Sequence, residues 1–345
     1  MADFNINHIT GKQGQQGIVL AGVTTVSSTG SMRIPSGPTE QRGGRGRGIL
    51  GGSYPANTTL LNKIEIASTG NATSFGTLTY GHSWSYPSAS STRGIFAGGY
   101  IAPGSGVVSG IDYVIFSSGG GGNDFGDLVT DLKQGAGFSD STRGVFATGA
   151  AASPAPVTTA INFITMASTG SESSFGDALV AARGAKGLAS PTRGVFARGG
   201  NLESPAKDAT NVLEYVTIQS KGNSVEFGDR TSLIEFQGAA ASNSTRGLLA
   251  GGYTAPANSN IIDYITIATT GNATDFGDLT SARHGGAGMS SATRAVFGGM
   301  WDGAADETMD YVTISSTGNA TDFGDTTAAV YYADGCSDVH GGLGD

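Results

Sequence analysis

Arg93-Gly-Ile-Phe-Ala-Gly-Gly-Tyr100 and Arg246-Gly-Leu-Leu-Ala-Gly-Gly-Tyr253 are two copies of a phrase that the chain repeats six times. The others are Arg47-Gly-Ile-Leu-Gly-Gly52, Arg143-Gly-Val-Phe-Ala-Thr-Gly149, Arg193-Gly-Val-Phe-Ala-Arg-Gly199 and Arg294-Ala-Val-Phe-Gly-Gly299. Successive arginines are 46, 50, 50, 53 and 48 residues apart. A period near 50 with several short apolar runs per unit is the signature of a β-propeller blade, and the kelch class is nearest in length.

Three further features keep register with the arginine. An apolar run follows it: 61–66, 111–116, 161–166, 213–218, 262–267 and 309–314, typified by Ile262-Asp-Tyr-Ile-Thr-Ile267. A Ser/Thr/Gly/Asn stretch then leads to Phe-Gly at 75–76, 125–126, 175–176, 227–228, 276–277 and 323–324. Asp127, Asp177, Asp229, Asp278 and Asp325 follow in five copies, and Thr77 in the first. A small-residue run such as Ala282–Ser291 feeds the next arginine. These are four strands, with β-branched and aromatic residues in the runs and Gly, Ser and Asn between them. Val114, Ile115 and Phe116 are consecutive, which suits a strand covered on both faces by neighbouring blades. No stretch keeps a capped 3.6-residue period, so helix is not expected.

The expected fold is therefore all-β: a six-bladed, kelch-like β-propeller with four strands per blade over residues 44–345. The first arginine phrase has no small-residue strand before it, whereas Ala328–Ser337 after the last Phe-Gly aligns with one. The C-terminal segment is thus predicted to complete the first blade and close the ring, which removes exposed sheet edges. Residues 1–43 stand outside the repeat. They hold a strand candidate, Gly17–Val26, and then the irregular Gly30-Ser-Met-Arg-Ile-Pro-Ser-Gly-Pro-Thr-Glu-Gln-Arg42. This arm has little core of its own and is expected to order by docking.

Composition excludes several classes. The 57 glycines among 345 residues serve tight turns and close strand approach rather than disorder, given the ordered repeat. Residues 1–50 carry five basic and two acidic residues; the remainder carries 14 and 26, a net −12. An acidic propeller is a poor general binder of nucleic acid, which requires neutralising phosphates. One cysteine, Cys336, makes no internal disulfide and no thiolate metal site. Residues 1–17 lack the apolar core of a signal peptide, and no long apolar run suggests membrane insertion.

The series Asp-Phe-Gly-Asp-Leu-Thr, small residues, Thr-Arg-Gly-Val-Phe-Ala-Gly-Gly-Tyr and Asp-Tyr-Ile-Thr-Ile resembles kelch-like repeat proteins of tailed bacteriophages. Those of phages infecting cyanobacteria and marine bacteria look most similar. The resemblance covers residues 44–345. Gly30–Arg42 is similar to a motif of phage tail-fibre and other appendage proteins, although Gly-Gly-Arg-Gly-Arg-Gly follows it here in place of a proline-rich stretch. The resemblance implies a virion structural protein, made in the host cytoplasm and present in multiple copies, without saying which part of the particle.

Candidate chemistry is sparse. Arg47, Arg93, Arg143, Arg193, Arg246 and Arg294 form a ring that either holds an anion or an acidic sugar at an electropositive channel mouth or, as a repeat feature, serves the repeat. In the second case each pairs with a carboxylate or with carbonyls; the Asp after Phe-Gly is the expected partner. The Asp-Phe-Gly triplets lack a phosphate loop or catalytic loop and are not kinase motifs. The acidic turns at Asn123-Asp124/Asp127 and Asp275/Asp278 offer too few oxygens for a hard cation and suit Asx-turns. His8, His82, His284 and His340 show no metal spacing. The sequons at Asn71, Asn272 and Asn319 share one repeat position, where Asn suits a turn. No nucleophile–base set, metal or cofactor site emerges, so a non-enzymatic role is expected.

Residues that break the repeat are better candidates: Trp84 and Tyr86 in the first inter-blade strand, Trp301 after the sixth arginine phrase, and Tyr331 and Tyr332 in the closing strand. Tyr54, Tyr100 and Tyr253 end three of the Gly-Gly phrases. Such aromatics either stack on sugar or anchor a protein partner, or they fill packing gaps. Two virion roles follow, with residues 1–43 docking to other virion proteins in both. One is a tail or fibre module contacting host-surface glycan; the other is an architectural capsid-decoration, neck or tail block. A polysaccharide-degrading propeller is the third reading, disfavoured by the lack of clustered carboxylates.

Overall fold

The computed structural model describes residues 46–54, 58–101, 106–152, 157–200 and 209–343, together with a short strand pair, Thr25–Val26 with Met32–Arg33. The rest of the expected docking arm lies outside the described residues. Six four-stranded antiparallel sheets make up the remainder. Blade two is typical: Tyr86–Ala89, Arg93–Ile101, Gly106–Ile115 and Asn123–Asp127, hydrogen-bonded in chain order. The first strand of every blade abuts the first strands of its neighbours around the axis; the fourth forms the rim. Among the described residues the one helical element is a single 3-10 turn, Gly341–Leu343.

Blade one is assembled from both parts of the chain. Asp334–Ser337 pairs antiparallel with Arg47–Gly51 in the register Asp334↔Gly51 to Ser337↔Gly48. The closing strand is shorter than the expected Ala328–Ser337, because Ala328–Val330 complete the rim strand of blade six, Thr321–Val330.

The core consists of six apolar layers, one between each pair of blades. Neighbouring residues of one strand serve opposite layers: Val145 packs toward blade four and Phe146 toward blade two. This is why the strands read as continuous apolar runs rather than alternating ones.

Three rings of polar ties hold blade to blade. In the first, each repeat arginine donates Nη1 to a carbonyl of the next blade. The acceptors are Phe116 for Arg47, Met166 for Arg93 (2.9 Å), Ile218 for Arg143 (2.9 Å), Ile267 and Ala268 for Arg193 (3.1 and 2.9 Å), Ile314 for Arg246 (3.1 Å) and Ile66 for Arg294 (3.4 Å). Five of these guanidinium groups also lie 4.4–4.9 Å over an aromatic ring of their own blade: Tyr113, Phe163, Tyr215, Tyr264 and Tyr311. Each ring in turn meets its Phe-Gly phenylalanine edge-on. Blade one has Lys63 at that position, and Arg47 instead meets the Glu65 carboxylate at 3.4 Å.

The second ring uses the polar residue inside each third strand, which is buried and reaches the rim-strand exit of the preceding blade. Asp112 accepts from Thr79 N (2.8 Å), Asp263 from Thr231 Oγ1 (2.5 Å), Asp310 from Thr280 N (3.1 Å), Glu214 from Leu179 N (2.9 Å) and Asn62 from Thr327 N (3.2 Å). In blade three the half-buried Asn162 donates to Glu172, which accepts Val129 N in its stead. The third ring joins the rims: the amide of Gly70, Gly120, Gly170, Gly222, Gly271 or Gly318 donates to the Phe-Gly phenylalanine carbonyl of the blade before, at 2.7–3.0 Å. The sequon asparagines reinforce it: Asn71, Asn272 and Asn319 accept the amides of Asp325, Asp229 and Asp278 at 3.1 Å.

This rim contact explains the invariance of the Phe-Gly glycine within the chain. A Cβ on Gly126, whose φ is +147°, would stand 2.6 Å from the Gly170 carbonyl carbon and oxygen. Backbone cannot yield as a flexible side chain would. Gly126→Ala is expected to cost about 2–3 kcal/mol, through overpacking and a left-handed φ. Denaturant unfolding measures it, and a loss below about 0.5 kcal/mol would contradict the assigned contact.

Candidate recognition face at the channel mouth

The axial cavity holds about 60 Å³ and is lined by Ala, Gly and Ser of the first strands, with Phe138, Leu188 and His340. None of the six arginines lines it. They sit at the turn from first to second strand, bound to carbonyls and aromatic faces. The ring is thus not presented to the channel, and the Asp after Phe-Gly is not its partner: among the described residues the one carboxylate paired with a ring arginine is Glu65. Carbonyl acceptors at the end of the next blade's third strand lie closer to the guanidinium than the rim aspartates do.

Polar ties lie at both ends of the cavity. At the turn side, His340 donates Nε2–H to the Ala89 carbonyl (2.9 Å) and accepts the Gly342 amide at Nδ1 (3.0 Å). Burial holds this imidazole below its usual pKa and hence neutral. At the opposite end Lys186 of blade four reaches across the axis to Asp334 of blade one (Nζ–Oδ1 3.1 Å), while Asp334 also accepts the Ser85 amide (2.6 Å).

Above this ion pair lies a concentration of aromatic rings. The antiparallel blade puts the end of each second strand beside the start of each first strand. Tyr54, Tyr100, Tyr253 and Trp301 therefore come to the same face as Trp84, Tyr331 and Tyr332. Tyr54 stacks on Trp84 (centroids 5.1 Å, 26°), and Trp84 meets Tyr332 at 4.8 Å. Tyr331 joins Trp301 to Tyr332 at 4.5 and 5.2 Å. His284, Phe236 and Tyr253 extend the arc across blades five and six. All of these rings except the buried His284 are half-buried. Tyr86 is not part of the face. It is 1% exposed, fits the space left by Gly135 and Gly149, and donates its hydroxyl to the Thr148 carbonyl at 2.8 Å, so it is a packing residue.

Two rings of the face stand on unfavourable backbone. The residue two before the first strand is left-handed in five blades: Trp84 (φ 57°), Gln134 (63°), Gly184 (66°), Gly285 (59°) and Tyr332 (55°). Glycine takes this conformation without penalty; a side chain there costs about 1–2 kcal/mol. Gly285 has a second reason, since its Cβ would enter the Tyr332 ring. The Tyr332 hydroxyl donates to His284 Nε2 (3.1 Å), and His284 Nδ1–H reaches Asn258 Oδ1 (2.8 Å). Burial lowers the His284 pKa to about 4, so this relay keeps one tautomer at neutral pH. Tyr332 is pushed up to about 12 by burial, then by Tyr331, Tyr54 and Tyr253.

Lys133 completes the face, its Nζ 4.3 Å from the Tyr100 centroid and 5.6 Å from that of Trp84. Burial lowers its pKa, and the nearby Arg183 charge acts in the same direction. His284, Phe236, Lys133 and Gln134 were not singled out from the sequence. The usable signal was that Trp84, Gln134 and Tyr332 occupy the repeat position of Gly184 and Gly285.

Gln134 is the least supported of the left-handed residues, because its Oε1 is buried with no hydrogen-bond partner among the described residues. Gln134→Gly is expected to stabilise the fold by about 1 kcal/mol, from relief of the left-handed penalty and of the unpaired carbonyl. A lower denaturation midpoint would count against the strain assigned here.

Among the described residues no three His, Cys, Asp or Glu side chains are grouped to hold a metal. Asp275 and Asp322 of the acidic turns each accept the amide of the following Phe-Gly glycine. The fold and the face define a six-bladed β-propeller whose ring is closed by its C-terminal strand, with one aromatic end. Comparison with models of protein families finds no match to the chain, and comparison with curated proteins finds none either.

Proposed function

We propose that this chain is a non-enzymatic structural component of a tailed-phage virion. In this reading residues 1–43 dock it to other virion proteins, it is present in several copies per particle, and the aromatic face contacts host-surface glycan. The observation that carries the reading is the gathering of Trp84, Trp301, Tyr331 and Tyr332 with Tyr54 and Tyr100 on one face, two of them on strained backbone. Strain retained in a well-tied fold is characteristic of functional sites, and aromatic rings of varied tilt suit the apolar faces of sugars. The phage resemblance of the repeat supplies the particle. A non-enzymatic role is supported by the engagement of the interior carboxylates in blade-to-blade ties.

The architectural reading has its own support. Val129, Leu179, Val180 and Leu233 are 73, 52, 48 and 56% exposed at the rim-strand exits of three consecutive blades. That places an apolar surface on the side of the ring, where a neighbouring subunit can pack. The proposal is tested with virions of the phage encoding the chain. Full-length protein is expected in purified particles, and protein lacking residues 1–43 is expected in the lysate but not in particles. Full incorporation of the truncated protein would refute docking by the arm; absence of the intact chain from virions would refute the virion role.

A further inference from the structure

The aromatic face has two unequal halves around the axis. Tyr54, Trp84, Tyr100, Phe236, Tyr253, Trp301 and the Tyr331–Tyr332 pair form an arc over blades one, two, five and six. Lys133, Gln134 and Lys186 approach from the side of blades three and four. Between the halves a crevice of about 10 Å³ is lined by Trp84, Gln134, Lys186, Phe236, Gly285 and Tyr332 among others. That is room for one hydroxyl or water. Two polar atoms of these lining residues, Trp84 Nε1 and Gln134 Oε1, are buried and without a hydrogen-bond partner among the described residues.

The charge of the face is specific. In a chain of net charge −9, the Lys133 ammonium lies over two aromatic rings, and no carboxylate of the described residues comes within 4 Å of it. Three carboxylates near face residues in the chain are engaged elsewhere: Asp334 with Lys186 and Ser85, Asp306 with Arg283, and Asp302 with the Ala304 amide. The exposed Asp131, two residues before Lys133, forms no ion pair with it. Lys186 is thereby neutralised by Asp334, while Lys133 is not. A cation beside stacking rings, with charge held off by desolvation, gains from an anionic group brought to it. Repulsion from distant surface carboxylates is screened beyond roughly 8 Å at physiological salt.

We infer that the channel mouth binds an anionic saccharide, its ring stacked on the Tyr54–Trp84–Tyr100 group and its carboxylate or sulfate held by Lys133. This rests on the glycan reading above and narrows it to one ligand chemistry. Carboxylated and sulfated sugars present the same charge to Lys133, and the test separates them.

Full-length protein would be titrated with polygalacturonate, dextran sulfate and neutral dextran. Emission from Trp84 and Trp301 would be followed; they are the chain's two tryptophans and both lie on the face. A saturable emission change with polygalacturonate or dextran sulfate, at least tenfold weaker with dextran, is expected. Lys133→Gln is expected to weaken the anionic ligand at least tenfold and Lys133→Arg to retain it, with the thermal midpoints of both variants near that of the parent. Which polymer binds identifies the anion. Equal binding of dextran and the anionic polymers, unaffected by Lys133→Gln, would overturn the assignment to Lys133 and leave the glycan reading standing. No response to any of the three, with capsular polysaccharide of the host also inert, would remove both.

Discussion

Removal of Asp334–Asp345 is expected to abolish the closed ring and leave no soluble, cooperatively folding propeller. The deletion strips Arg47–Gly51 of its inner partner strand and opens an unpaired edge facing the axis. It removes Cys336 from the apolar layer between blades one and two, and the Asp338 carboxylate that accepts the Arg47 amide at 2.8 Å. It also leaves the ammonium of Lys186, 17% exposed, without Asp334. Each loss is of a kind that costs about 1–3 kcal/mol or more, and together they approach the roughly 5–15 kcal/mol that holds a domain folded. Expression followed by sedimentation and thermal unfolding decides the matter. A soluble truncated protein with an undiminished melting transition would show that the closing strand is dispensable.

The second large effect belongs to the buried ties. Asp263 is completely buried and accepts from Arg230 Nε (2.8 Å) and Thr231 Oγ1 (2.5 Å); Arg230 is itself 1% exposed. Asp263→Ala leaves a guanidinium in the interior without its counter-charge, which costs about 3–5 kcal/mol. The paired change Arg230→Met with Asp263→Leu is expected to regain most of that loss, since removing both charges together leaves neither unpaired. Denaturant midpoints of the two variants provide the check. A loss below about 1 kcal/mol for Asp263→Ala would mean that Arg230 is satisfied by Gln237 and the Leu249 and Gly251 carbonyls alone.

These residues mark what the sequence made legible. The fold was written in the period of the arginine phrase, and closure in the small-residue segment after the last Phe-Gly; only its boundary moved, because Ala328–Val330 continue a rim strand. The partner of the arginines was not legible. It is a main-chain carbonyl, which every residue possesses, so no side-chain pattern distinguishes it from the rim aspartates. The buried acids were visible in phrases such as Ile262-Asp-Tyr but their role was not, because one polar residue in an apolar run carries no sign of what lies across the blade interface. The face was legible in part. Trp84, Trp301, Tyr331 and Tyr332 stood out by breaking the repeat, whereas Lys133 and His284 reach it through topology alone. Tyr86 broke the repeat equally well and proved to be core, since two positions along the chain take it from the left-handed bend into the first strand.

Whether the aromatic face is a ligand site is directly measurable through its two tryptophans. Full-length protein would be titrated with capsular polysaccharide of the bacteria that the virion infects, with tryptophan emission recorded and heat-unfolded protein as control. A saturable change in emission from the folded protein, lost in Trp84→Gly, is expected. Unchanged emission at saturating polysaccharide would contradict it, and would make the side surface at Val129, Leu179, Val180 and Leu233 the place to look for the chain's partner.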